Sequence, residues 1–516
     1  MNDVPEQRGE HPEAVASILD RLKPEGSLDV DRPHQVYCNR DLNMRKIEAV
    51  GFDMDYTLAR YRQEAIDRLS VEKTLERLVT ERNYPEAILD IEPRPEFPIR
   101  GLVLDTERGN IFKIDSHRHV GKVYHGFREL TQEERHAYRQ RTIRFNQDQF
   151  VLIDTLFALP EAFLYAALVD FLESTEPGRD HDWREVYDDI RYCIDLAHRD
   201  ESLKSEILAN LEEYVYQDTA LALTLHKLRS AGKSLFVLTN SYAPYTDRVM
   251  SYLLEGVLDE YPEWTSYFDV VVTGAGKPSF FTERSSFQEV DRNGDIHGEV
   301  TEGFQQGTLY QGGNLRDFER MAGFGGDSVL FVGDHIYGDI LRSKKTSTWR
   351  TAMIVQEMEQ ELAQAREMRE ELQKIETFDR EITRLNSELT YDQGLTYQID
   401  AVLDRIESGE LRADELEGRD ADELRQTRDK LKEAQRRMRR RRHELIEQLR
   451  DTERSFEDNF NPYWGLIFRQ ENENTLFGKQ VEDFACVYTS RVSNFLNYSP
   501  MHYFRASRQP LPHEQF

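Results

Sequence analysis

Cysteine is nearly absent from this chain: Cys38, Cys193 and Cys486 lie far apart in 516 positions. An odd, scattered set of thiols excludes a disulfide framework and supplies no CxxC pair for a structural zinc. Positive charge is also short, with 67 basic residues against 96 acidic ones and a formal net charge of −29. A surface of that sign repels phosphate backbones, so nucleic acid is not an expected partner. Lysine is scarcest, roughly 15 residues against about 50 arginines, a composition compatible with a salty cytoplasm. No stretch approaches the roughly 18 apolar residues of a membrane span, so no membrane partner is expected either. The opening MNDVPEQRGEHPEAV is acidic and lacks the apolar centre of a secretory signal, which makes the cytoplasm the expected location.

What the chain does hold is 39% hydrophobic beside 32% charged residues, in a length that suits two or three domains. Its most informative stretch is Gly51 to Tyr61, GFDMDYTLARY. Ile47, Ala49, Val50 and Phe52 lead into it as an apolar run, which predicts a buried parallel strand. Asp53, Asp55 and Thr57 follow at alternate positions. Carboxylates at the carboxyl end of such a strand stand where open α/β sheets place their ligands. One Asp can attack a phosphoryl group while the second serves as acid and base for the departing alcohol. Two anions facing an anionic phosphate would repel it, so this chemistry calls for a hard divalent cation, Mg²⁺. For the pair alone, a solvated Asp-x-Asp turn is the alternative.

Three further stretches repeat the arrangement downstream. Ser234 to Leu238 reads as a buried strand ending in Thr239, Asn240 and Ser241, whose hydroxyls and freed backbone N–H groups can cradle a phosphate. Val270 to Val272 lead through a Gly-containing loop to Lys277, an ammonium able to neutralise a phosphoryl group and a carboxylate together. SVLFVGDHIYGDI, Ser328 to Ile340, sets Asp334 at another strand end and Asp339 five residues later. Taken singly, each has a bland reading as a common turn or an exposed loop lysine.

The DxDxT string after a hydrophobic strand resembles the first motif of the haloacid dehalogenase-like phosphohydrolases. VYCNRDLNMRKIEAVGFDMDYTL, Val36 to Leu58, extends the likeness to the cytosolic purine 5'-nucleotidase branch of that superfamily. LTNS looks like the second motif, GKPSFF is similar to KPxFF, and GDHIYGDI is similar to GDHIxGDI, with SKK (Ser343 to Lys345) and WRT (Trp349 to Thr351) matching behind it. The likeness covers about residues 35–355 and 460–514. It implies an α/β fold, a Rossmann-like parallel sheet core with an inserted α+β cap domain. It also implies Asp53 as nucleophile and Asp55 as acid and base. Mg²⁺ would be held by Asp53, the Asp55 main-chain carbonyl and Asp334, with Asp339 holding a metal water or Lys277. Thr239, Asn240, Ser241 and Lys277 would bind the phosphoryl oxygens.

The cap should carry specificity. Arg191, Asp195 and His198 fall at i, i+4 and i+7 on one helix face. An Arg beside an Asp could read the O6 acceptor and N1 donor of a 6-oxopurine, as the resemblance implies; from spacing alone a surface ion pair serves equally. Phe157 matches an aromatic that stacks on the base, with a core phenylalanine as alternative, and Lys204 matches a basic residue near the substrate. Ala158 and Arg199 depart from the animal pattern, which leaves base preference open.

The expected layout is a polar arm over 1–35 with a short helix around Ala14 to Leu22, and a core from 36–60, 230–356 and 459–516. A cap covers 61–229, and an antiparallel helical hairpin, a coiled coil, covers 357–458. Within the cap, Ala65 to Arg82 reads as a helix, Ile99 to Tyr124 as short strands, and Phe150 to Leu172 as an apolar helical region. The basic run Arg436 to Arg442 reads as a solvated face pairing with glutamates. The expected function is Mg²⁺-dependent hydrolysis of purine nucleoside 5'-monophosphates, 6-oxopurines favoured, with nucleoside phosphotransfer as a side reaction and a homo-oligomer, dimer or tetramer, as the assembly. A phosphatase for another small metabolite and a scaffold acting through the hairpin are the rival readings. An effector site near Arg144, Asp154, Tyr337 and Lys345 is left open.

Overall fold

The structure is a computed structural model that describes residues 30–507 apart from 140–142, 144, 146–148, 342–346, 413–419, 458, 471 and 472. The helix expected around Ala14 to Leu22, Arg144, Lys345 and the Tyr337 side chain lie outside what is described.

Along the chain come β1 (Tyr37–Cys38), β2 (Ala49–Phe52), α1 (Gln63–Arg82), β3 (Leu102–Asp105), β4 (Asn110–Ile114), β5 (Val120–His125), β6 (Arg128–Glu129) and β7 (Phe150–Leu152). α2 (Leu159–Thr175), α3 (Trp183–Arg199) and α4 (Ser202–Ala209) follow, then β8 (Ser234–Leu238), α5 (Ala243–Leu254), β9 (Val270–Thr273), β10 (Phe287–Val290) and β11 (Ile296–Val300). β12 (Leu309–Gly312), β13 (Val329–Gly333), β14 (Arg350–Ile354), α6 (Arg369–Glu407), α7 (Ala421–Glu457) and β15 (Val487–Thr489) complete the frame.

Ten strands form one sheet in the order β1-β15-β14-β13-β2-β8-β9-β12-β10-β11. From β15 to β12 every neighbouring pair is parallel. β2, β9 and β13 are buried at every position, as expected of unbroken apolar runs covered on both faces. β2 lies between β13 and β8, so the chain departs to one side of it and returns on the other. Such a switch opens a crevice at the carboxyl ends of the strands.

One residue makes the centre of this sheet close. Gly51 pairs in register with Phe236 of β8, and a Cβ on Gly51 would lie 2.1 Å from the end of the Phe236 ring. The ring therefore occupies the space that any side chain at 51 would need, and it packs on against Phe318, Phe324 and Trp349.

Between β2 and β8 the chain builds a second sheet, antiparallel, in the order β6-β5-β4-β3-β7. Val103, Phe112, Val123 and Phe150 bury one side of it. The helical region expected from Phe150 needs correction, because Phe150–Leu152 is strand β7 and α2 begins only at Leu159. Three apolar residues carry no usable periodicity, and pairing with β3 decides their state. The segment after Leu466 returns to this sheet: the buried Lys113 of β4 donates to the carbonyls of Leu466 and Arg469 at 2.6 Å each.

The chain divides into two compact units, one holding both sheets and the other spanning Ala363–Gly465. Within the second, α6 and α7 pack antiparallel, as the pairs Asn386–Arg442, Thr396–Gln435 and Asp400–Lys432 show by running in opposite order. Leu385, Leu389, Leu403 and Leu445 are buried along the seam. Arg437 and Arg441 of the basic run pair with Glu433 and Glu381. Among the described residues no helix is long and apolar enough to cross a membrane.

Gly51→Ala is expected to lower the unfolding free energy by about 1–3 kcal/mol, the usual cost of overpacking a filled core. Urea denaturation reads this directly, and a loss below about 0.5 kcal/mol would mean that Phe236 can move aside.

Candidate active site

Four parallel strands deliver their carboxyl ends to one place, because register aligns them. β2 ends at Asp53 and Asp55, β8 at Thr239 to Ser241, β9 at the loop to Lys277, and β13 at Asp334. Backbone bonds fix the starting points: the Asp53 N–H donates to the Val332 carbonyl and the Thr239 N–H to the Val272 carbonyl. Lys277 is buried and reaches across them, its Nζ 3.0 Å from Asp53 Oδ2 and 2.6 Å from Asp339 Oδ1. Asn240 holds the lysine's own backbone on both sides, accepting from its N–H at 2.6 Å and donating to its carbonyl at 2.9 Å.

Asp53, Asp334 and Asp339 each bring a carboxylate oxygen to within 4.8 Å of the others. Burial pushes the Asp53 carboxyl well above the ordinary range; Lys277 pulls it down, and Asp339, Asp334 and Asp55 push it up again. Burial, then Asp339, brings Asp334 up to about 7 against the opposing pull of Arg100. Burial alone would depress the Lys277 ammonium, but Asp339 and Asp53 outweigh it and hold it above the usual lysine value. Asp334 Oδ2 is buried with no hydrogen-bond partner. An orphaned carboxylate oxygen beside two more acids fits a hard divalent cation, which takes oxygen ligands and relieves their repulsion.

Asp55 faces another way. Ser241 Oγ donates to its Oδ2 at 2.7 Å and the Tyr61 hydroxyl to its Oδ1 at 2.6 Å, with Tyr245 OH 3.0 Å beyond Tyr61. These hydroxyls set the plane of the carboxylate. A cavity of about 320 Å³ opens from this point, at the small end of the range for organic ligands. Asp55, Asn240 and Ser241 line one part of it, and Phe157, His198 and Lys204 another. Phe157 is 40% exposed, its ring edge-on to Tyr56 at 4.6 Å. Burial and then Lys204 lower the His198 pKa. Arg191 and Asp195 are not in the cavity wall: they pair with each other at 3.0 Å, and Arg191 also donates to the buried Glu161 at 2.8 Å.

Sequence reasoning named Asp154 only for an open effector site and missed the pairs that brace the Asp334 loop. Arg100, fully buried, donates through Nη1 to the Asp334 carbonyl at 2.9 Å and grips Glu357 with Nε and Nη2 at 2.7 and 2.6 Å. His335 Nε2 lies 3.4 Å from Asp154 Oδ1. Burial lowers that imidazole, but Asp154 and then Asp339 and Asp334 outweigh it and bring its pKa up to about 8. No local pattern marks these pairs, since Arg100 and Glu357 stand 257 positions apart. The legible signals were local ones: Tyr61 stands six residues after Asp55, and His335 directly follows Asp334.

A family model, that of the 5' nucleotidase family, matches residues 36–516. The chain belongs to this family. It is 30% identical over 497 residues to a 5'-nucleotidase domain-containing protein of Dictyostelium discoideum, covering 93% of this chain and 75% of that one. Over 515 residues it is 28% identical to 5'-nucleotidase domain-containing protein 2 of Rattus norvegicus, covering 96% and 83%. A solved structure described as a predicted phosphoglycolate phosphatase from Haemophilus somnus aligns at 13% identity and a TM-score of 0.26, over 60% of this chain and 86% of that one. Membership makes this chain a phosphoric monoester hydrolase and supports a nucleotide phosphatase activity. Enzymes of this kind generally use a divalent metal, for which the acidic triad is suited.

Lys277→Met removes the cation buried among the three carboxylates. It is expected to destabilise the metal-free protein by about 3–5 kcal/mol, the scale for breaking a buried ion pair from one side. Chemical denaturation in the presence of a chelator measures it; a change under about 1 kcal/mol would mean the acids tolerate one another without the lysine.

Proposed function

We propose that the protein is a Mg²⁺-dependent 5'-nucleotidase acting on purine nucleoside 5'-monophosphates, with 6-oxopurines preferred. The observation that carries this reading is the cavity beside the strand ends, which joins Asp55, Asn240 and Ser241 to Phe157, His198 and Lys204. A phosphate at the first group leaves a nucleoside to extend toward the second.

In this reading Asp53 attacks phosphorus in line while the bond to O5' breaks, and Asp55 hands its proton to the departing oxygen. An aspartyl phosphate stands on Asp53. Asp55, now ionised and held by Ser241 and Tyr61, takes a proton from the water that cleaves it. Thr239, Asn240, Ser241 and Lys277 bind the phosphoryl oxygens, where charge builds up. Asp53, the Asp55 carbonyl and Asp334 would hold Mg²⁺, with Asp339 steadying Lys277 behind them. The ion would supply charge neutralisation that lets a phosphate approach the acids. A nucleoside alcohol in place of water gives phosphotransfer by the same route.

The segment 61–229 serves as the cap. Phe157 stacks on the base, with His198 and Lys204 beside it. Arg191 and Asp195, on the same α3 face as His198, read O6 and N1 once the base draws Arg191 away from Glu161. The paired helices α6 and α7 supply none of the residues named here, and the role proposed for the hairpin is homo-oligomer assembly.

A screen of phosphate release from IMP, GMP, AMP, UMP and sugar phosphates, with and without Mg²⁺, tests the assignment; equal rates on IMP and AMP would remove the 6-oxopurine preference. Asp53→Asn is expected to abolish turnover, and Asp55→Asn to reduce kcat by about 10² or more, the scale of lost acid–base catalysis. Near-normal release by either variant would sink the mechanism.

A further inference from the structure

Two buried polar side chains in the wall of the nucleotide cavity each keep an oxygen with unfilled hydrogen-bonding capacity. Asp67, on the inner face of α1, is 4% exposed and lines the cavity. Its Oδ1 accepts from Gln63 Nε2 at 2.7 Å, and Gln63 Nε2 is steadied in turn by the Leu156 carbonyl at 3.3 Å. Its Oδ2 has no partner. Tyr56 lines the same cavity and is fully buried, and its hydroxyl, with Gln63 and Asp67 beside it, forms no hydrogen bond of good geometry. The same wall also carries the apolar Ile66, Leu156, Leu203 and Ile207.

Neither group is explained by packing. An unsatisfied buried carboxyl or hydroxyl keeps its desolvation cost, and an apolar residue of similar size would remove it. Tyr56 adds a second strain: its φ of 56° is left-handed, where a bulky aromatic rarely sits. Costs of this kind persist where a ligand repays them. The ligand's identity follows from position. Tyr56 is the chain neighbour of Asp55, whose carboxylate faces the leaving O5' in the reading above, and Phe157 lies edge-on against Tyr56. The part of a nucleotide between O5' and a base stacked on Phe157 is its sugar.

We propose that Asp67 and Tyr56 form a subsite for the ribose hydroxyls of the substrate. This rests on the nucleotidase reading and deepens it. A sugar hydroxyl both donates and accepts, so it satisfies either group. Burial, eased by Gln63 and raised further by Glu64, brings the Asp67 carboxyl up to about 8, so near neutrality it offers a hydroxyl donor on the free oxygen. Asp55, Tyr61, His198, Lys204 and Tyr245 are the other titratable groups along the cavity, and Glu64 is the neighbouring acid on α1 itself.

The test compares kcat/KM for IMP and 2'-deoxy-IMP in the parent, Asp67→Ala, Asp67→Asn and Tyr56→Phe proteins, with p-nitrophenyl phosphate as a sugar-free control for the parent. The parent is expected to favour IMP. Asp67→Ala should lose about tenfold on IMP, through KM, and much less on the deoxynucleotide; Asp67→Asn, which keeps a hydrogen-bonding side chain, should recover most of the loss. Thermal unfolding without ligand supplies the second readout: Asp67→Ala should melt at the parental temperature or above it, because an unpaired buried group has been removed. An equal loss on both nucleotides would assign Asp67 to the base and overturn the ribose subsite. So would an unchanged IMP preference, or a lowered melting temperature with no change in the ratio. A parent that hydrolyses p-nitrophenyl phosphate but no nucleotide overturns the nucleotidase reading itself, and this subsite with it.

Discussion

Lys277 sits in a place where a lone ammonium would be expensive to bury, and it does so because Asp53 and Asp339 meet it at 3.0 and 2.6 Å. The converse holds as well. Three carboxylates cannot share a few ångströms of buried space without a cation, and the ordinary response would be to protonate, as the raised Asp53 and Asp334 show. The centre is thus balanced between one permanent positive charge and an excess of negative charge. That excess is what suits it to a divalent ion, and a single lysine leaves it unmet.

The surrounding structure serves to keep those charges from relaxing apart. Asn240 clamps the backbone of Lys277, so the ammonium cannot withdraw without breaking two short bonds. Arg100 plays the same part for the Asp334 loop, and because it is gripped by both oxygens of Glu357 its direction is set as well as its charge. The parallel register beneath puts all four strand ends level, and Gly51 lets the middle of that sheet close around Phe236. Backbone geometry, local clamps and long-range ion pairs therefore act on the same few side chains.

The legible part of this arrangement is the part carried by short stretches. Asp53, Asp55, Lys277 and Asp334 each follow an apolar run, so both the strand and the residue at its end could be read together, and the parallel core followed from the same runs. What stayed hidden depends on pairing between distant segments. β7 is three residues long and is a strand only because β3 lies beside it. Arg191 and Asp195 do form the i, i+4 pair their spacing suggests, but Arg191 also meets Glu161 of α2, and neither residue lines the cavity. Arg100 gives no sign of itself in a stretch of prolines and acids. Periodicity reports which face is buried and says nothing of which charge it meets.

Between the two long helices of the second unit, Gln435 Nε2 donates to Thr396 Oγ1 at 2.8 Å with both residues buried, unlike the more exposed ion pairs at the edges. Leucines can slide past one another at small cost, whereas this bond exists in only one alignment. Adding one residue to either helix between this pair and the unit's base turns everything beyond it by about 100°, which would carry the threonine or the glutamine out to solvent. Seven residues bring the face back to within about 20°. Lengthening or trimming this arm is thus a quantised operation: whole pairs of turns, in both helices at once, keep its phase, and any other increment scrambles the seam.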